Sequence, residues 1–299
     1  MKNIIFKGSC TALVTPLSNS AKRVNYKKLR ELIDFQIEAG TSAIVLLGTT
    51  GAPTTLTEYE RENIVKTAVG HVAGRVPIIV GAGSNCTKTA IKQSQTYEKL
   101  GADALLHVTP YYNKCTQKGL VEHFSIIAKS VELPIVLYNV PGRTGVNMLP
   151  STVEKLSHVN NIVAVKEASG NIEQISEVIR ICSKEFSVYS GDDALTFLTL
   201  CLGGRGVISV ASNIIPEVMS KICKEYFSGN YENGKNLQLG INPLIKTLFC
   251  EVNPIPVITA MNMLGYDVGG MRLPLSSMEE DNVLKLKNEL KKLFGGELR

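Results

Sequence analysis

Eight short apolar runs punctuate this 299-residue chain, each breaking off in small or polar residues. They are SCTALVTP from Ser9, SAIVLLGTT from Ser42, VPIIVGAG from Val76, ADALLHVTP from Ala102, LPIVLYNVP from Leu133, NIVAVKEAS from Asn161, FSVYSGDD from Phe186 and RGVISVAS from Arg205. Such unbroken apolar character is that of parallel strands covered on both faces, where neither side of the sheet meets water. Between the runs the apolar period lengthens to that of a helix. Leu29, Leu32, Ile33 and Ile37 share one face ahead of a stop at Gly40. Thr57 and Glu60 are spaced as a capping box before the stripe Ile64, Val65, Ala68 and Val72, and Ile172, Ile175, Val178, Ile179 and Cys182 form a third face. Eight alternating strand and helix units predict an α/β fold, a closed (β/α)8 TIM barrel. The competing architecture is an open doubly wound sheet, but CTALVTPLSNS lacks the G-x-G-x-x-G turn usual after its first strand.

Beyond about residue 213 the strand pattern stops and helical spacing continues to DNVLKLKNELKKLF. That last segment places Val283, Leu286, Leu290 and Leu293 on one face, suited to packing on the barrel or on a neighbouring subunit. The expected organisation is a barrel over residues 1–225 that carries the active site, with a C-terminal helical extension over residues 226–299.

Composition narrows the class. A hydrophobic content of 44% allows a large core, and the net charge of +5 is spread along the chain without the basic runs a nucleic-acid surface needs. Seven cysteines, an odd number with no C-x-x-C pair, fit neither a disulfide framework nor a zinc site and point to a reducing compartment. No segment reads as a signal peptide or membrane span, so the expected location is cytoplasmic, with no nucleic-acid or membrane partner.

In a barrel of this kind chemistry sits at the carboxyl ends of the strands. There the chain carries Gly48–Gly51, Thr109–Tyr112, Tyr138 and Asn139 with Arg143 just beyond, Lys166 and Glu167, and Gly191–Asp193. His71, His107, His123 and His158 are scattered without ligand spacing, and Asp192–Asp193 reads as a turn and helix cap sooner than a metal site. Gly203–Gly206 precedes the eighth strand and is expected to form a tight turn. Lys166 stands out, since an ammonium within an apolar strand is costly unless it is paired or loses its proton. A neutral amine there is a nucleophile for a carbonyl carbon, the chemistry of a Schiff base; a salt bridge at the strand end is the alternative. Tyr138 taken alone suits a core tyrosine as well as a proton carrier, and Arg143 a solvated loop residue.

GTTGAPTTL, VTPYYNK, LYNVPGRTG, VKEASGN, SGDD and GVISV, followed by NPIPV and RLPL, closely resemble the dihydrodipicolinate synthase family over almost the whole chain. The wider group of pyruvate-dependent class I aldolases shares the Thr-Gly turn, tyrosine and lysine, whereas the arginine of YNVPGRTG favours this family over N-acetylneuraminate lyase. The resemblance implies a lyase without cofactor or metal that condenses pyruvate with L-aspartate 4-semialdehyde. Lys166 would form the imine, and Tyr138, Thr49 and Tyr112 would relay protons, Tyr112 coming from an adjacent subunit. Thr50 would help bind the pyruvate carboxylate, Arg143 would hold that of the semialdehyde, and Gly191 and Ile208 would line the pyruvate pocket. A homodimer would complete the site, within the tetramer usual for the family. Ala52 and Pro53 depart from the family's Glu-Ser pair. Many members are inhibited by L-lysine; their two histidines are replaced here by Glu58 and Arg61 and their glutamate by Thr89, while Asn85 and Tyr111 remain. Insensitivity to L-lysine is therefore expected.

Overall fold

The structure, a computed structural model, describes residues 4–295. The eight apolar runs become β1 (Gly8–Ala12), β2 (Ala43–Leu46), β3 (Ile78–Gly81), β4 (Ala104–Val108), β5 (Ile135–Asn139), β6 (Ile162–Glu167), β7 (Ser187–Ser190) and β8 (Gly206–Ser209). All pair in parallel in chain order, and β8 returns to β1, closing the barrel. The helices are α1 (Tyr26–Glu38), α2 (Glu58–Val72), α3 (Thr87–Lys99), α4 (Gln117–Ala128), α5 (Pro141–Thr144), α6 (Pro150–Ser157), α7 (Ile172–Ile181), α8 (Thr196–Cys201), α9 (Pro216–Phe227), α10 (Tyr231–Leu248), α11 (Ile255–Met263) and α12 (Glu280–Phe294).

Alternation along each strand makes two cores. Inward residues, among them Cys10, Val45, Ile79, Leu106, Val136, Ala164 and Ile208, fill the barrel; outward ones such as Ile44, Val80, Leu105, Leu137 and Val165 meet the helices. Phe6 stacks on Tyr189 with ring centres 4.1 Å apart, and the Tyr189 hydroxyl donates to the Phe6 carbonyl, plugging the amino-terminal end. Gly206 has φ +156°, and a Cβ there would lie 1.9 Å from the Gly8 carbonyl oxygen, so only glycine lets β8 approach β1. The turn expected over Gly203–Gly206 is confined to its start, at Leu202–Gly203 with Gly203 at φ +110°, because Gly206 already belongs to β8.

Helix packing follows the expected stripes with one exchange. Ile64, Val65, Ala68 and Val72 are buried on α2, whose capping box is formed by Thr57 and Glu60. On α1, however, Gln36 is fully buried and Ile37 only partly. The Gln36 amide accepts from Thr11 and Thr41 and donates to the Ser212 carbonyl, satisfying polar groups between β1 and the segment after β8. On α12, Leu286 and Leu290 are buried and Val283 partly so, while Leu293 is exposed. The outer hydrophobic cluster runs without a break from Leu13 to Leu290, and residue 225 falls inside α9. No helix among the described residues is long and apolar enough to cross a membrane, and none of the seven cysteines is in a disulfide.

Arg272, in the segment before α12, ties the C-terminal part to the β2–α2 connection. Its guanidinium bonds both Glu60 carboxylate oxygens, at 2.6 and 2.8 Å, and the carbonyls of Ala21, Lys22 and Thr55. These bonds hold the Glu60 carboxyl down at about 2. Because the folded value is depressed, the stabilisation is complete above the ordinary carboxylate range near 4.5 and is lost as pH falls toward 2. Thermal melts across that window should show wild type and Glu60→Gln differing most above pH 4.5 and converging toward pH 2. A gap that does not change with pH would contradict this ion pair as its source.

Candidate active site

The carboxyl ends of the strands surround a cavity of about 360 Å³. Its lining includes Thr49, Ala52, Pro53, Arg61, Tyr111, Tyr138, Arg143 and Asn253. Thr49 opens the single turn Thr49–Gly51 shortly after β2, and Tyr138 is the penultimate residue of β5, just before Asn139.

Lys166 lies deeper. It is opposite Tyr138 in the β5–β6 register and only 5% exposed, and its Nζ sits 4.3 Å from the centre of the Tyr138 ring. Among the described residues no carboxylate reaches it, so the strand-end salt bridge is absent, and its Nζ meets the aromatic face instead. Cys10 faces the same interior, and burial pushes its thiol far up against the opposing pull of Lys166, leaving it neutral. Gly191, immediately after β7, makes room for the lysine stem. A Cβ at that position would sit 3.0 Å from both Cγ and Cε of Lys166 and 2.7 Å from the Ala168 Cβ. Ile208, 1% exposed on β8, completes the apolar surroundings.

Thr50 and Arg143 are joined by a residue that periodicity and strand-end position do not single out. Asn253 donates from Nδ2 to Thr50 Oγ1 at 3.0 Å, and its backbone carbonyl accepts from Arg143 Nη2 at 3.1 Å. Thr50 is 2% exposed, while the Arg143 side chain remains open to solvent. Asn253 belongs to NPIPV, a motif that marks the family resemblance without assigning this residue a role.

Tyr112 is the expected site residue that the single chain does not bring in: at φ +70° it is 92% exposed and lies outside the cavity lining. The other polar candidates have structural partners. Asp192 caps the turn at Asp193–Leu195 by accepting from the Ala194 amide. The buried Asp193 carboxylate accepts from the amides of Val210 and Ala211, joining the ends of β7 and β8. Burial lowers His107 to about 3 and His123 to about 4, so both are neutral, and His71 and His158 pair with Asp34 and Glu154. Among the described residues no group of three or more metal-ligating side chains occurs.

Eight parallel strands, the lysine on β6 against the tyrosine of β5, and the threonine turn after β2 coincide with one family. Its model, described as the dihydrodipicolinate synthetase family, matches residues 5–293. The chain belongs to the dihydrodipicolinate synthetase family. A relative from Thermoanaerobacter sp. (strain X514) named 4-hydroxy-tetrahydrodipicolinate synthase is 51% identical over 289 residues, covering 96% of this chain and 97% of that protein. The crystal structure of dihydrodipicolinate synthase from Thermotoga maritima is 44% identical with a TM-score of 0.94, covering 97% of this chain and 99% of its own. A structure of a monomeric dihydrodipicolinate synthase variant matches equally well, at 44% identity and a TM-score of 0.94, covering 96% of this chain and 97% of that one.

Against the family's Glu-Ser pair, Ala52 takes a left-handed conformation, φ 46° and ψ 47°, and Pro53 opens the turn Pro53–Thr55. Both line the cavity, which continues past them to Arg61, Ser84, Gln93 and Tyr111.

Proposed function

We propose that Lys166 is the residue through which this chain condenses pyruvate with L-aspartate 4-semialdehyde. The enzyme is a lyase of diaminopimelate and lysine biosynthesis, and its product is 4-hydroxy-tetrahydrodipicolinate. The observation that carries the role of Lys166 is its buried amine, free of any carboxylate among the described residues and set against the ring of a tyrosine that lines the cavity.

In this reading the neutral Lys166 amine adds to the keto carbon of pyruvate, and the carbinolamine loses water to give an imine. Proton loss from the methyl group gives an enamine, whose carbon attacks the aldehyde of the semialdehyde. The substrate's own amine then displaces Lys166 and closes the ring. The protonated imine is the electron sink throughout. Tyr138 and Thr49, both on the cavity wall, move protons at the keto and aldehyde oxygens, with Tyr112 of a second copy. Thr50, anchored by Asn253, positions the pyruvate carboxylate; Arg143 takes the carboxylate of the semialdehyde, while Gly191 and Ile208 keep the pyruvate end narrow and apolar. The exposure of Tyr112 on the single chain supports a homodimer as the smallest complete catalytic unit, assembled further into a tetramer. Borohydride reduction in the presence of pyruvate, followed by peptide mapping, should place the reduced adduct on Lys166, with turnover when semialdehyde is added. An adduct elsewhere would refute the assignment, and an adduct without turnover would favour another pyruvate aldolase.

Insensitivity to L-lysine is supported by where the replacing side chains lie. Glu58 is turned outward in a 2.6 Å ion pair with Lys92, Thr89 is exposed, and Arg61 lines the cavity beside Tyr111. A ligand with two ammonium groups meets a cation and no inward carboxylate from these positions. A lysine titration into the millimolar range should leave activity unchanged; inhibition relieved by substitution at Asn85 would show that the site persists.

A further inference from the structure

Tyr138 and Lys166 face the barrel interior, and the residue after each, Asn139 and Glu167, faces outward into a buried polar cluster. Glu167 is fully buried at the end of β6, directly opposite Asn139 in the strand register. Its Oε1 accepts from the Ser169 backbone N–H at 2.8 Å and its Oε2 from Gln174 Nε2 at 3.2 Å. Asn139 Nδ2 lies 3.2 and 3.1 Å from the two carboxylate oxygens and also donates to Asn147 Oδ1 at 2.8 Å. Asn139 Oδ1 accepts from the Met148 amide at 2.9 Å, and the side chains of Asn147 and Gln174 exchange bonds of 2.8 and 3.1 Å. Every group that reaches Glu167 is a donor, and none is a cation. Burial pushes its carboxyl up, while these donors pull it back down.

We infer that Glu167 is a positioning residue, its carboxylate clamping the ends of β5 and β6 and thereby setting Tyr138 against Lys166. The inference rests on the role of Lys166 proposed above. The ladder between these strands ends at this point, the last bond running from the Ala168 amide to the Asn139 carbonyl. Beyond it both chains leave the sheet, and the Glu167–Asn139 pair is what holds them at one separation. Through Asn147 and Met148 the same cluster holds the segment that follows Arg143. One buried acceptor, bound only by neutral donors, thus connects to three site residues while touching no substrate.

Glu167→Gln isolates this role because it conserves volume but turns an amide against donors on Asn139 or Gln174. Displacing a catalytic group by about 1 Å costs on the order of 100-fold in rate. Wild type and Glu167→Gln should therefore be compared for the rate of borohydride-trappable pyruvate adduct formation, kcat, pyruvate KM and melting temperature. The expected result is a folded variant whose adduct formation and kcat fall roughly 10- to 100-fold, with KM changed less than about threefold. Wild-type rates beside a lowered melting temperature would overturn the inference, showing a purely structural acid. Absence of any wild-type adduct at Lys166 would instead remove the underlying reading.

Asn139→Asp supplies an independent readout should Glu167→Gln fail to fold. Among the described residues the groups facing the carboxylate are Asn139 from β5, Ser190 opposite it on β7, Gln174 from α7, and Asn147 and Ser169 from the connecting loops, none of which titrates. Two carboxylates in contact share one proton. Below the shared pKa the pair is bridged; above it the like charges part the strand ends. The kcat of Asn139→Asp should consequently gain an alkaline limb that reverses on acidification and that wild type lacks. A pH profile superimposable on that of wild type would also overturn the clamp.

Discussion

Lys166→Ala is expected to abolish covalent trapping of pyruvate and to reduce kcat by roughly four orders of magnitude or more, the scale seen when a catalytic nucleophile is removed. Such a loss corresponds to about 5.5 kcal/mol of barrier. The variant should remain folded, because two effects on stability oppose each other. Deleting the stem leaves a void beside Gly191 and Ala168, while removing the amine relieves the cost of burying a polar group at 5% exposure without a carboxylate partner. A melting temperature within a few degrees of wild type, read beside an absent adduct, separates loss of chemistry from loss of fold. A folded Lys166→Ala protein that still traps pyruvate after borohydride would end the assignment.

Arg143→Ala should separate the two half-reactions. Arg143 lines the cavity, and the only hydrogen bond of its guanidinium among the described residues is to the Asn253 carbonyl, which leaves the remaining guanidinium donors for a carboxylate. Removing a charge-assisted bond of this kind costs about 1.5–3 kcal/mol, on the order of 10- to 150-fold in kcat/KM for the semialdehyde. Imine formation with pyruvate alone, which does not need this arginine, should change less than about threefold, well below that cost. Parallel measurement of adduct formation and condensation is the check. Equal losses in both would reassign Arg143 to the pyruvate subsite or to the architecture of the loop.

These experiments address residues of two kinds. Lys166, Tyr138, Thr49 and Arg143 could be picked out as candidates before any coordinates, because each stands at or just beyond the carboxyl end of an apolar run and departs from its chemistry; the role expected of each came from the family resemblance. Asn253 and the partnering of Glu167 could not be picked out. Asn253 meets Thr50 across 203 positions of chain, and Asn139 meets Glu167 across 28. Gln36 escaped notice for the same reason: periodicity placed Ile37 on the inner face, where it packs partly buried, while the hydroxyls of Thr11 and Thr41 made the fully buried neighbour an amide.

The sequence by itself determined the eight strands, their parallel order, the helices between them and the family, because these depend on local periodicity, caps and turn residues that each segment carries within itself. Only the tertiary structure decided which polar groups are satisfied and by whom. It placed Lys166 on the ring of Tyr138 without an acid, gave Arg272 to Glu60, turned Glu58 out to Lys92 and left Tyr112 facing away from its own cavity. Hydrogen bonds and charges are resolved in three dimensions by whichever partner the closed barrel brings within about 3 Å, and no spacing along the chain encodes that distance.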